Sequence, residues 1–94
     1  MELDDLFEVM LKEIADELKL QFIKSRAGYI VSNEKNSVGF MTFVGSNGKL
    51  KILMSPRRAG KPMDLGSYNK EELKGKDSKA RRAIIVKLSN SEFL

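Results

Sequence analysis

Residues 38–54 read Val-Gly-Phe-Met-Thr-Phe-Val-Gly-Ser-Asn-Gly-Lys-Leu-Lys-Ile-Leu-Met. Two apolar runs, 38–44 and 49–54, flank Gly45-Ser46-Asn47-Gly48. Asn and Gly tolerate the positive φ that a tight turn between antiparallel strands requires, so this pattern marks a β-hairpin. Side chains alternate across a strand. Leu50, Ile52 and Met54 therefore share one face of the return strand, while Lys49, Lys51 and Leu53 share the other. The hairpin predicts an antiparallel sheet with one apolar face that another element must cover.

That covering element lies upstream. Residues 3–19 carry Leu3, Phe7, Met10, Ile14 and Leu18 at helical spacing, widened by Leu6, Leu11 and Ala15. This is an amphipathic helix. Asp4 and Asp5 suit its N-terminal end and either can cap it. Between helix and hairpin, Phe22–Ser25 reads as a short strand. Gly28 interrupts it, Tyr29-Ile30-Val31 forms another, and Asn33-Glu34-Lys35-Asn36 turns the chain.

Downstream, Pro56 ends the hairpin and residues 56–68 read as an aperiodic loop. Asn69-Lys70-Glu71-Glu72-Leu73-Lys74-Gly75 carries an N-cap, a glutamate three residues on and a terminal Gly. These are the parts of a short helix with a capping box. Residues 76–82 are polar, and Ala83-Ile84-Ile85-Val86-Lys87-Leu88 is apolar enough to read as a final strand inside the sheet. The fold class is therefore α+β: an N-terminal amphipathic helix packed on a small antiparallel sheet of four to five strands, with a short second helix before the last strand, in αβββαβ order.

A chain of 94 residues has room for one domain, spanning 1–94. It holds no Cys and no His. Thiolate nucleophiles, disulfides, imidazole bases and Cys- or His-based metal sites are thereby excluded. No apolar run approaches the roughly 18 residues of a membrane span. The acidic opening Met1-Glu2-Leu3-Asp4-Asp5 is unlike a basic signal segment. A cytoplasmic protein with no membrane association and no cofactor is the expectation.

The formal charge of +4 is unevenly distributed. Residues 1–20, which contain the acidic helix (3–19), hold seven acids and two bases, whereas residues 21–94 hold fifteen bases and six acids, so −5 on residues 1–20 faces +9 on the sheet and loops (22–94). Lys49, Lys51, Arg57, Arg58 and Lys61 form one cluster with no acid among residues 49–61. Lys74, Lys76, Lys79, Arg81 and Arg82 form a second, relieved only by Asp77. Clustered Lys and Arg neutralise phosphates and release counterions, giving salt-dependent affinity for nucleic acid. A solvated face that keeps a small protein soluble is the plainer alternative.

Several motifs bear on chemistry. Arg58-Ala59-Gly60-Lys61-Pro62 resembles an AT-hook core but lacks its flanking arginine pair, and reads instead as a basic wing. Such a wing reaches a minor groove with its bases. Gly60-Lys61 is no phosphate loop, since Ser55 and Pro62 stand where Gly and a backbone donor are required. The run 38–44 faintly resembles the aromatic strand of RNA-recognition motifs. Phe40 and Phe43 sit at opposite parity, so one belongs to the core and the other is available to stack on a base, as are Tyr29 or Tyr68. The αβββαβ order resembles the core of PD-(D/E)xK nucleases, but 38–44 and 49–54 contain no carboxylate to hold Mg²⁺.

In element order, the helix, hairpin-rich sheet and basic loops resemble the double-wing DNA-binding domains. That family tends to have a further C-terminal helix, whereas this sequence is expected to end at Ser91-Glu92-Phe93-Leu94 without one. The resemblance implies DNA binding and transfers no individual residue. The expectation is a small non-enzymatic nucleic-acid-binding or accessory protein, with no catalytic or metal site. DNA is favoured over RNA, and Lys49, Lys51, Arg57, Arg58, Lys61, Lys76, Lys79, Arg81 and Arg82 are its contacts. The alternative is a protein-interaction module, a homodimer or an inhibitor, for which an exposed strand edge or an apolar patch around 38–44 is the expected mark.

Overall fold

The computed structural model describes residues 2–56, 61–75 and 77–89. Helix α1 (Leu3–Glu17) is followed by strands β1 (Gln21–Ser25), β2 (Gly28–Ser32), β3 (Ser37–Val44), β4 (Leu50–Pro56) and β5 (Met63–Tyr68), then by helices α2 (Lys70–Leu73) and α3 (Lys79–Leu88). The five strands form one antiparallel meander in the order β1-β2-β3-β4-β5. The α+β architecture therefore holds, with the N-terminal helix on an antiparallel sheet.

Pairing across the sheet fixes which residues meet the helices. Tyr29 lies opposite Phe40, Phe40 opposite Met54, Val31 opposite Val38, and Thr42 opposite Ile52. All of these except Thr42 are buried. They meet Phe7, Met10, Leu11, Ile14 and Ala15 of α1 in a single core. The Phe7 ring centroid stands 5.5 Å from that of Tyr29 and 6.1 Å from that of Phe40, both in the tilted geometry that aromatic pairs prefer. At the start of the helix, Thr42 Oγ1 donates to Asp4 Oδ1 at 2.7 Å and ties α1 to β3. Asp4 and Asp5 are thus first-turn residues, not caps; the N-cap is Glu2, without a side-chain capping bond.

Two elements differ from the sequence reading. Residues 83–88 are not a strand but the body of α3, so the chain closes on a helix, and the αβββαβ order is corrected. The Ile84-Ile85-Val86 run favours a strand by local propensity. However, Ser78 caps residues 79–88 by accepting from the Arg81 N–H at 3.1 Å. Ala80, Ile84 and Leu88, four apart, then form one apolar stripe with no exposed surface. Tertiary burial of a helical stripe outweighs β-branched propensity.

The second difference is β5, which occupies part of the span read as loop. The register between β4 and β5 shifts by one between Lys51 and Leu53, opposite Leu65 and Gly66. Gly66 has φ 102°, which the bulge requires. The bulge breaks the two-residue period and so hides the strand from pattern reading. The helix expected at 69–75 is present as α2, with both bonds of its capping box formed between Asn69 and Glu72.

Candidate nucleic-acid interface

The helices cover one face of the sheet; the opposite face carries no described helix. On it the register aligns three rows. Ile23, Ile30, Gly39 and Ser55 form the first, Met41, Leu53 and Asp64 the second, and Phe43, Lys51 and Ser67 the third. Ile23 is 50% exposed and Phe43 51%, while Ile30, Met41 and Leu53 are partly exposed. This face is apolar along its middle and basic near the β3–β4 turn, where Lys49 precedes β4.

Of the aromatic residues read as stacking candidates, Tyr29, Phe40 and Tyr68 are core residues. Burial raises the phenol pKa of both tyrosines, and the Tyr68 hydroxyl donates to the Leu65 carbonyl. Phe43 alone of the four presents its ring to solvent, and Lys51 is its cross-strand partner.

The described members of the predicted contact set lie in different parts of the fold. Lys49 and Lys51 lie at the turn end of the open face, and Lys61 lies beyond the other end of β4, before β5. A seven-residue strand is about 20 Å long, so Lys49 and Lys51 are separated from Lys61 by roughly that length. Lys51 Nζ stands 3.4 Å from Asp64 Oδ2. The Gly66 N–H, donating at 2.8 Å, and secondarily Lys51 hold the Asp64 carboxyl below its ordinary range. Both partners are exposed, and such a pair is weak, so Lys51 remains able to exchange Asp64 for a phosphate.

The described bases Lys79, Arg81 and Arg82 of the second cluster belong to the helical layer. Arg81 is only 8% exposed: its guanidinium donates to Glu17 Oε2 at 2.8 Å and lies 3.8 Å from Glu13. The carboxylates of α1 thus compete for the guanidinium that the sequence offers to a phosphate. Lys79 Nζ lies 3.9 Å from Glu72 at the end of α2. Arg82 is exposed on α3, beside a groove also lined by Leu65, Lys79, Val86 and Lys87. Arg57, Arg58 and Lys76 lie outside the described residues.

Part of the charge split is also consumed internally. Glu8 of α1 meets Lys24 of β1 at 2.9 Å and Lys12 at 3.4 Å, and the Lys24 contact above all lowers the Glu8 carboxyl pKa. Acidic helix and basic body are therefore partners within one fold.

Sequence reasoning does not identify the apolar character of the open face. The signal is present at Tyr29-Ile30-Val31, three consecutive apolar residues, which in a strand must place apolar surface on both faces. It also passes over a depression of about 310 Å³ at Gly39, bounded by Ser37, Ser55, Ile30 and Met41. Among the described residues no three His, Cys, Asp or Glu gather to hold a metal ion. Among them, too, no helix is long and apolar enough to cross a membrane. No protein family, curated protein or solved structure matches the chain.

Proposed function

We propose that this is a small non-enzymatic nucleic-acid-binding protein and that the open face of the sheet is its contact surface. The observation that carries the reading is Phe43, half exposed and in cross-strand register with Lys51 on a face that no described helix covers. An aromatic ring supplies sequence-tolerant base stacking, and adjacent lysines neutralise phosphates. Lys49, Lys51 and Lys61 are the described basic contacts, Arg82 and Lys79 a more distant flank. The resemblance in element order to double-wing DNA-binding domains belongs to the same proposal and adds no residue to it.

The test is a fluorescence-anisotropy titration of labelled DNA and RNA oligonucleotides across a salt series starting at about 50 mM. Micromolar affinity that falls with salt is expected. The variant Lys49→Ala/Lys51→Ala/Lys61→Ala should weaken it and flatten the salt dependence by about two units of slope. Arg81→Ala should leave affinity and slope unchanged while lowering thermal stability, since its guanidinium is committed to Glu17 and Glu13. Absence of binding at the lowest salt refutes the proposal.

A second reading, a protein-interaction module, is favoured by the aliphatic residues Ile23, Ile30, Met41 and Leu53 on the same face. If a copy of the chain covers that face, sedimentation should reveal a dimer that Ile23→Lys dissociates. A monomer at all concentrations removes the dimer version.

A further inference from the structure

A five-stranded sheet is about 19 Å across, with strands about 4.8 Å apart. The major groove of duplex DNA is about 12 Å wide and admits a helix or a two-stranded ribbon, not a broad sheet face. In a duplex the bases are paired and stacked, so the Phe43 ring meets a base face only where a step is unstacked, at a cost of about a few kcal/mol. Bases of a single strand are free to splay onto it.

Gly39 supplies an independent observation. It lies in the middle strand of the sheet, where glycine costs roughly 0.5–1 kcal/mol relative to alanine. Nothing in the fold requires it: its φ is outside the left-handed range, and an added Cβ would come no closer than 3.9 Å to the Ser55 and Tyr29 carbonyl oxygens. A strand glycine serves a bulge, a tight bend, a close backbone neighbour or a closely approaching ligand, and the register at Gly39 is unbroken. Here Gly39 lines the depression beside Ile30 and Met41, and Ser37, Ser55 and the β1–β2 turn also contribute to its lining. A lining of apolar side chains and serines suits a flat heteroaromatic ring. Gly39 and Phe43 have the same parity on β3, about 13 Å apart along the strand.

Building on the proposed nucleic-acid reading, we infer that the ligand class is single-stranded nucleic acid, running along β3. One base stacks on Phe43 and another enters the Gly39 depression. Charge complementarity supports this occupant, since Lys49 and Lys51 stand beside the Phe43 end of the track and Lys61 lies toward the other.

The experiment compares a single strand of about 10 nucleotides with a hairpin duplex of the same sequence, at one salt concentration. The single strand should bind at least tenfold more tightly. Phe43→Ala should weaken single-strand binding about 5- to 150-fold and leave duplex binding unchanged. Gly39→Val should fold, because its Cβ would meet nothing closer than 3.9 Å and a β-branched residue suits a strand, yet lose single-strand affinity by filling the depression. The chain has no tryptophan. Phe43→Trp therefore introduces a unique reporter whose fluorescence the stacked base should quench. Equal or tighter duplex binding, wild-type affinity in both Phe43→Ala and Gly39→Val, or an unquenched indole signal from Phe43→Trp at saturation each overturns the inference. If the lysine variant alone loses affinity, nucleic-acid binding stands and the single-strand track fails. If neither ligand binds, both fail.

Discussion

Single residues separate the positions this fold depends on from those it merely tolerates. Gly28 opens β2 at φ 148°, and a Cβ there would lie 2.1 Å from the Phe40 carbonyl oxygen. No rotation of a side chain relieves a clash with backbone. Gly28→Ala should therefore destabilise the protein by about 2–3 kcal/mol, read as a drop in the denaturation midpoint at unchanged m value. Gly39 provides the contrast, since its φ lies outside the left-handed range and an added Cβ would meet only ordinary contacts at 3.9 Å. The two glycines look alike in the sequence, and only the path of the neighbouring strand distinguishes them. Arg81 teaches the same lesson for charge. It sits in a run of bases, but Glu13 and Glu17, far away in the chain, remove it from the surface.

At the scale of elements, local signals succeed where tertiary packing agrees with them. The 3.6-residue stripe from Leu3 to Leu18 is helix α1, Asn47-Gly48 turns the hairpin with Gly48 at φ 77°, and Asn69 and Glu72 form their capping box. Helix α3 eludes pattern reading because Ala83–Leu88 offers two signals in conflict. Its β-branched residues favour a strand, whereas Ser78 and the 80/84/88 spacing favour a helix; the second wins because that stripe completes the core. Ser78→Ala should accordingly cost about 1 kcal/mol, measured by chemical denaturation, since it removes the bond to the Arg81 N–H. The side chain also reaches Met10 Sδ at 3.7 Å, so a loss well above 1 kcal/mol would assign the contact between helices a share of its own. Strand β5 escapes notice for a different reason: a bulge at Leu65 and Gly66 breaks the alternation on which a strand is recognised.

For the whole molecule, the titratable groups define a broad plateau of stability. Glu8 and Asp64 have carboxyl pKa values below the ordinary 4.5 and 3.8 because their charged forms are held by Lys24 and by the Gly66 N–H respectively. The unfolded chain therefore binds more protons on the acid side, so this stabilisation is present above the ordinary values and is lost as pH falls below about 4.5. Tyr29 and Tyr68 are raised above 10.0 by burial, so the unfolded state ionises first and stability is lost above pH 10. With no His or Cys, no side chain of ordinary pKa titrates in between. Tm should be flat from about pH 5.5 to 9 and decline on both sides, with Glu8→Gln shrinking the acid limb. A transition near pH 6.5 would contradict this account.

The sequence by itself determined what is absent from the side-chain chemistry, the amphipathic helix, the central hairpin and the sign of the excess charge. Each follows from residue identity or from periodicity over a few turns or strands. Tertiary structure alone decided that the chain closes on a helix, that Arg81 is enclosed by α1, and that Phe40 is core while Phe43 is surface. It also decided that the described bases of the two clusters lie in different parts of the fold and that a sheet face with apolar residues is left without a described helix beside Phe43. Those outcomes depend on which distant groups compete to cover the same surface, and that competition is resolved only when the sheet and its helices are packed together.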